Sequence, residues 1–189
     1  MRQNKSSQLA TISIFFAVMI VIDLLSSVIF SIFPFPIHPT IVHIPVIIAS
    51  ILYGMKTGAI LGGLMGLMSI IHNTIILMPS SYLFSPFVEK GSLYSILIAV
   101  VPRILIGITP YLTYKLFRNR FGLGLAGAIG SMTNTVFVLG GIFFLFADTY
   151  NGNIQALLAT ILGTNSIAEM IISILLTLSM VPRLEKLRK

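Results

Sequence analysis

The sequence predicts an all-α fold: an integral membrane bundle of six transmembrane helices with both termini cytoplasmic. Three observations lead there. Of 189 residues, 56% are hydrophobic and 9% charged, with a mean hydropathy of +1.01. Soluble domains carry about 25% charged residues, so this chain lacks the polar surface to coat a globule in water. Apolar runs recur along its length, and the basic residues fall in short clusters between them, which reads as membrane topology and not as a phosphate-binding stripe. An ordinary soluble enzyme, a disordered regulator and a nucleic-acid module are thereby excluded, and the net charge of +7 does not restore the last. With no cysteine, disulfides, thiolate metal sites and a cysteine nucleophile are excluded as well.

A helix needs about 20 apolar residues to cross roughly 30 Å of hydrocarbon. Read as a single membrane domain, 1–189, the chain offers a first span at about 9–33, ended by Pro34, Pro36 and Pro39. A short second span, 41–53, leads through the turn Gly54-Met55-Lys56-Thr57 into a third, 58–77. The second is short enough to be re-entrant or steeply placed. After a polar stretch, 79–91, come a fourth span at 93–117, a fifth at 121–146 and a sixth at 154–181. Arg2 and Lys5 resemble the basic start of a signal peptide, but the apolar run is too long and no Ala-x-Ala site follows, so the first span is expected to be retained.

Lysine and arginine orient the bundle. With the N-terminus inside, Arg2, Lys5, Lys56, Lys115, Arg118, Arg120, Arg183, Lys186, Arg188 and Lys189 are cytoplasmic, Lys90 alone is outside and Arg103 lies within the fourth span. That is a strong positive-inside bias. The tyrosines at 53, 82, 94, 111, 114 and 150 fall near span ends, where an amphipathic ring is favoured.

Motors and catalysts are missing. Lys56-Thr57 lacks the preceding glycines of a phosphate loop, and there is no G-x-S-x-G, no H-E-x-x-H and no paired intramembrane carboxylates at helical spacing. His38, His43 and His72 are too scattered to argue for a metal, and no cofactor is expected. Small residues mark packing faces instead. Gly58, Gly62 and Gly66, and again Gly122, Ala126 and Gly130, give G-x-x-x-G-like surfaces for close approach of helices within the subunit. Ser6, Ala10, Ser13 and Ala17 form a small-residue stripe along the first helix, read either as inward packing or as a groove for a partner membrane protein.

Polar residues inside the spans are the functional candidates. A charge at mid-membrane costs at least about 2.5–3.5 kcal/mol and needs a partner. Arg103 lies ten residues into the fourth span. Its partner is Glu169 on the sixth span, Asp23 on the first, or a substrate carboxylate held by its planar fork. His72, Asn73 and Thr74 end the third span, Asn134 sits midway along the fifth and Asn165 midway along the sixth. Each reads either as a satisfied interhelical hydrogen bond or as part of an enclosed pocket for a small polar ligand. The stretch 79–87, with Tyr82, Phe84 and Ser85, is an interfacial loop or a lid over that pocket.

Four stretches carry a family resemblance: 43–54 (HIPVIIASILYG) with its following glycine-rich helix, 84–87 (FSPF), 101–111 (VPRILIGITPY) and 131–141 (SMTNTVFVLGG). With the length, the six helices, the cytoplasmic termini and the missing ATPase, the chain resembles the substrate-binding S component of energy-coupling factor vitamin transporters, over essentially its whole length. Within that family it looks most like the pantothenate type, whose relatives have also been labelled hydroxymethylpyrimidine transporters. The resemblance implies a subunit of the bacterial plasma membrane that is not an enzyme. It would capture a vitamin outside and deliver it by toppling while docked on a membrane T component, which two cytoplasmic ATPases drive. The family meets that partner through an Ala-x-x-x-Ala motif on the first helix. Here Ser13-x-x-x-Ala17, preceded by Ser6-x-x-x-Ala10, stands in its place. Substrate-site candidates are then Arg103, Asn73, His72, Thr74, Tyr82, Phe84, Ser85, Asn134, Asn165 and Glu169. Pantothenate, with a carboxylate, two hydroxyls and an amide, suits an arginine among Asn, Thr and Ser. Hydroxymethylpyrimidine has no permanent negative charge and would leave Arg103 to Glu169. Two other classes are weighed: a structural membrane scaffold, which gives no reason for Arg103 and the mid-span amides to coexist, and an intramembrane enzyme built on His72 with Ser69 or Glu169, for which the spacing offers no acid–base pair.

Overall fold

A computed structural model describes residues 5–32, 41–77, 80–146 and 154–187, and the side chains of all but 30–32 and 154–164 among them. Pro34, Pro36, Pro39, Pro79, Tyr150, Arg2, Arg188 and Lys189 lie outside the described residues. The elements are α1 (Lys5–Ile32), α2 (His43–Tyr53), α3 (Met55–Ile75), α4 (Leu93–Ile106), α5 (Thr109–Leu116), α6 (Arg120–Leu145) and α7 (Ile154–Leu187), with one 3-10 turn at Ser81–Leu83. There is no strand among the described residues. Taking α4 and α5 together as one interrupted crossing, the chain is a bundle of six helices, of which five are long and apolar enough to cross a membrane.

The sixth, α2, is too short for that. Its 11 residues rise only about 16 Å, half the hydrocarbon thickness. It is apolar on every side, the pattern of a helix surrounded by protein, and every residue from His43 to Leu52 is buried. Pro45 falls in the first turn, where its missing N–H costs nothing. The turn into α3 is tighter than its sequence suggests. Gly54 alone links the two helices: it takes φ 93°, a left-handed value open to glycine without strain, and its N–H closes α2 on the Ser50 carbonyl at 2.9 Å.

The glycine face of α3 packs on α4. A Cβ at Gly62 would strike the Arg103 carbonyl, one at Gly58 the Gly107 carbonyl and one at Gly66 the Ala99 carbonyl and Val100. The two backbones are therefore in contact over three turns, the close approach that small residues allow. Gly63, on the flank, has only the end of Ile104 near it. Behind that contact the fourth crossing breaks at Gly107 and Ile108, since Pro110 in the first turn of α5 cannot supply an N–H to continue the ladder. The Ser50 hydroxyl donates to the Gly107 carbonyl at 2.6 Å in full burial, tying the break to α2.

Two apolar clusters result. The larger surrounds α2 and includes Met19, Ile47, Leu61, Ile106, Ala126 and Val181. The smaller contains Leu83, Ile98, Val138, Ile142 and Phe146. On α4 the run from Ile98 to Ile106 passes from one cluster to the other through Arg103, and on α6 the run from Ala126 to Val138 does so through Ser131 and Asn134. A polar layer thus lies between two dry ones.

Helix α1 packs on this core along one side, through Met19, Ile12, Phe15, Phe16 and Ile22. Among its described side chains only Met19 is fully buried, and Ser6, Ala10, Ser13 and Ala17 all lie on its exposed side. The stripe is therefore not packed inward within the subunit. Phe15 meets the Tyr53 ring edge-on at 5.8 Å, and Asp23 Oδ2 lies 3.3 Å from His72 Nδ1 on α3.

Candidate functional site

Arg103 projects from α4 into the polar layer and is 9% exposed. Its Nη1 donates to the Ile98 carbonyl at 2.8 Å, one turn back on its own helix. The guanidinium carbon sits 5.2 Å from the centre of the Phe84 ring, within cation–π range. Its Nε, buried as well, has no protein partner. One Nη is spent on the helix, one face is covered by an aromatic ring, and Nε is enclosed without a protein acceptor. Glu169, 5% exposed on α7, is near enough to act on the charge of Arg103 through space. Asp23, the other partner offered for Arg103 by the sequence, bonds His72 instead.

The loop at 80–92 lies over this arginine and is fastened at three points. The Ser95 hydroxyl donates to the Tyr82 carbonyl at 2.6 Å, binding the loop to α4. The hydroxyls of Thr74 and Ser85 share a hydrogen bond of 2.7 Å, binding it to the end of α3. Tyr82 meets Phe146 edge-on at 6.1 Å, binding it to the end of α6. Ser85 is fully buried and also accepts from the Phe87 N–H at 3.2 Å. Partial burial raises the Tyr82 phenol above its usual 10.0, so it is a neutral hydroxyl at physiological pH. The loop accordingly covers the layer in which Arg103 lies.

Helices α6 and α7 supply the opposite wall. Thr135 and Ser166 hydrogen-bond across their seam at 2.9 Å, and the Ser173 hydroxyl donates to the Gly127 carbonyl at 2.9 Å. These contacts fix an antiparallel register in which Asn134 and Asn165 are neighbours. The Oδ1 atoms of both, and the Ser131 Oγ, are withdrawn from solvent without a protein partner. The register with the fourth crossing comes from Ile98 beside Gly141 and from the Thr109–Thr133 hydroxyl contact at 3.0 Å. Arg103 lies between those levels on α4, and Asn134 between them on α6.

The structure therefore brings together Arg103, Phe84, Asn134, Asn165 and Glu169, with Tyr82, Ser85 and Thr74 in the overlying loop and its anchor. The hydrogen bonds of two other candidates lead elsewhere: the Asn73 amide donates to the Ser69 carbonyl of its own helix at 2.8 Å, and His72 turns to α1. Two residues were not among the substrate-site candidates of the sequence. Ser131 lies one turn before Asn134, and that i, i+3 spacing was a signal that they share a face. His43 is fully buried at the start of α2. Since Ile47 packs on Gly130, one turn along each helix places His43 level with Asn134. Its only signal was a lone histidine opening an otherwise apolar run. No cluster of metal-ligating side chains is present among the described residues.

Residues 7–181 match the family described as "ECF transporter, substrate-specific component". The chain is 45% identical, over 193 aligned positions covering all of it and 98% of the relative, to the "Pantothenic acid transporter PanT" of Lactococcus lactis subsp. cremoris. It is 32% identical over 158 positions to the "Pantothenate transporter PanT" of Leuconostoc mesenteroides subsp. mesenteroides, covering 74% of this chain and 71% of that one.

Proposed function

Because the chain belongs to the family of ECF transporter substrate-specific components, we propose that it is the pantothenate-binding subunit of an ATP-driven vitamin importer of the plasma membrane. It has no ATPase motif of its own, and its relatives are transporters, not enzymes. The observation that carries the vitamin is the free Nε edge of Arg103. A buried guanidinium with one edge unsatisfied calls for an acceptor, and a carboxylate satisfies it with charge as well as geometry. Pantothenate brings that carboxylate, along with hydroxyls and an amide for Asn134, Asn165 and Glu169. Phe84 holds the plane of the fork, while Thr74, Tyr82 and Ser85 form the outer rim. Uptake then proceeds from the outside, with both termini cytoplasmic and the loop at 80–92 as the cover of the loaded site.

The exposed stripe of Ser6, Ala10, Ser13 and Ala17 supports docking of α1 on a membrane T component, itself driven by two cytoplasmic ATPases. Small side chains allow the partner's backbone to come close and the subunit to turn against it. Calorimetry on the purified chain tests the reading, with hydroxymethylpyrimidine and riboflavin as comparators. Pantothenate is expected to bind, and Arg103→Ala to weaken it by about a hundredfold, the upper range for a charged hydrogen bond. Binding of the pyrimidine in place of pantothenate would overturn the choice of vitamin while leaving the importer. Silence from all three would favour a scaffold.

A further inference from the structure

We infer that the turn joining α5 to α6 binds an anionic phospholipid of the adjoining leaflet, with the lipid phosphate held by Lys115, Arg118 and Arg120 and its acyl chains lying on Leu116, Phe117 and Phe121. The inference needs only that the chain spans a membrane and is independent of which vitamin it carries. Residues 115–121 put three cations and three large apolar side chains into seven consecutive positions, and all seven are exposed. Leu116 is 77% exposed, Phe117 45% and Phe121 69%. Such a patch is unfavourable in water. At the end of a span it is well placed, because the rings can enter hydrocarbon while the long basic side chains reach the headgroups.

The turn is a fixed platform. Only residues 117–119 separate the two helices. The Asn119 N–H donates to the Phe117 carbonyl at 2.9 Å, and the Asn119 side-chain oxygen accepts from the Gly122 N–H at 2.7 Å. A Cβ at Gly122 would strike the Phe117 carbonyl, so the chain folds back closely on itself. The Phe117 and Phe121 rings meet edge-on at 6.4 Å and form an apolar ledge among the cations. The end of α7 adds charge. Gly124 faces Ile174 and Leu178, so the last turns of α7 extend past the start of α6, and Glu185 and Arg118 both act through space on Tyr114 of α5. With Arg183 and Lys186 there are five cations at this end against one carboxylate, Glu185. Among the described residues, Lys115, Arg118 and Arg120 form no ion pair. Basic clusters of this size beside a span attract anionic lipid, and the planar arginine fork matches phosphate oxygens. An acidic protein would meet the charges but leave the three apolar side chains without a hydrocarbon partner.

The test uses the full chain in a micelle of neutral detergent, with bound lipid read by native mass spectrometry. The probes are phosphatidylglycerol, phosphatidylcholine, inorganic phosphate and glycerophosphoglycerol, which is the same anionic headgroup without acyl chains. Phosphatidylglycerol is expected to bind about a hundredfold more tightly than phosphatidylcholine, at about fivefold for each of the three cations. Arg118→Gln alone should reduce that ratio about fivefold. Replacing Lys115, Arg118 and Arg120 together by Gln should bring it near unity. Lys56→Gln, an exposed cation at the start of α3 outside the turn, should leave it within about twofold. Leu116→Ser with Phe121→Ser should weaken both lipids alike and keep the ratio. Neither glycerophosphoglycerol nor inorganic phosphate should displace the lipid at equal concentration. Equal affinity of the unaltered chain for the two lipids overturns the inference, as does a ratio that survives in the triple variant. An equal loss in Lys56→Gln overturns it in favour of overall positive charge, and displacement by either soluble anion overturns it in favour of a free-phosphate site.

Discussion

Arg103 owes its poise to what its neighbours do not take. The Ile98 carbonyl and the Phe84 ring hold two aspects of the guanidinium and leave Nε free. That a mid-span arginine would need a partner was legible in the sequence, because the cost of a charge in lipid demands one. Which acid stood near it was not, because Asp23 and Glu169 lie 80 and 66 positions away along the chain and only packing sorts them. Asp23 went to His72, across the contact of α1 with α3. Interhelical polar contacts in lipid are worth about 0.6 kcal/mol on average and up to about 1.7. Asp23→Asn and His72→Gln are therefore each expected to destabilise the detergent-solubilised protein by an amount in that range, measured by thermal unfolding. The double variant should fall short of the sum. Additive effects would mean that the pair is not coupled.

At the scale of elements, spacing told which helix faces were thin but not what they faced. Gly58, Gly62 and Gly66 are evident as a G-x-x-x-G run, whereas their seating on the backbone of Gly107, Arg103 and Ala99 is a fact of tertiary structure. The contact also positions the proposed site, since the carbonyl under Gly62 belongs to Arg103. Gly62→Ala is expected to destabilise by about 1–3 kcal/mol through overpacking and to weaken pantothenate binding by displacing α4. Gly63→Ala, which meets only ordinary contact with Ile104, should leave both close to unchanged. Calorimetry and thermal unfolding on the pair separate a local clash from a general loss of glycine. The interruption between α4 and α5 escaped the sequence reading because apolarity runs unbroken through 93–117; Gly107 with Pro110 was the available signal. The shortness of α2 was readable, but its burial on every side was not, because an apolar run of that length looks the same in lipid as in protein.

For the whole molecule, the distribution of exposure separates the helices around the polar layer from an outer helix. α2 to α7 enclose the polar layer, while α1 keeps its small-residue stripe on the outside. Ala10→Trp and Ala17→Trp are thus expected to leave pantothenate affinity of the isolated subunit within about twofold, and to reduce vitamin uptake by cells by about tenfold or more, because the bulk blocks close helix approach. Loss of binding in the isolated subunit would place those residues in the fold instead.

Composition and periodicity alone settled the solvent, the all-helical class and the close-packing faces, because the free energies involved act residue by residue: hydrophobic transfer into lipid, and steric room at glycine. The tertiary structure decided the rest. It showed that one helix is interior, that the stripe on α1 faces out, and that a donor edge on α4 lies in the same layer as acceptor oxygens on α6 and α7. Those outcomes depend on pairings between residues far apart in the chain. A hydrogen bond made or withheld across a helix seam leaves no trace in the local pattern of either helix.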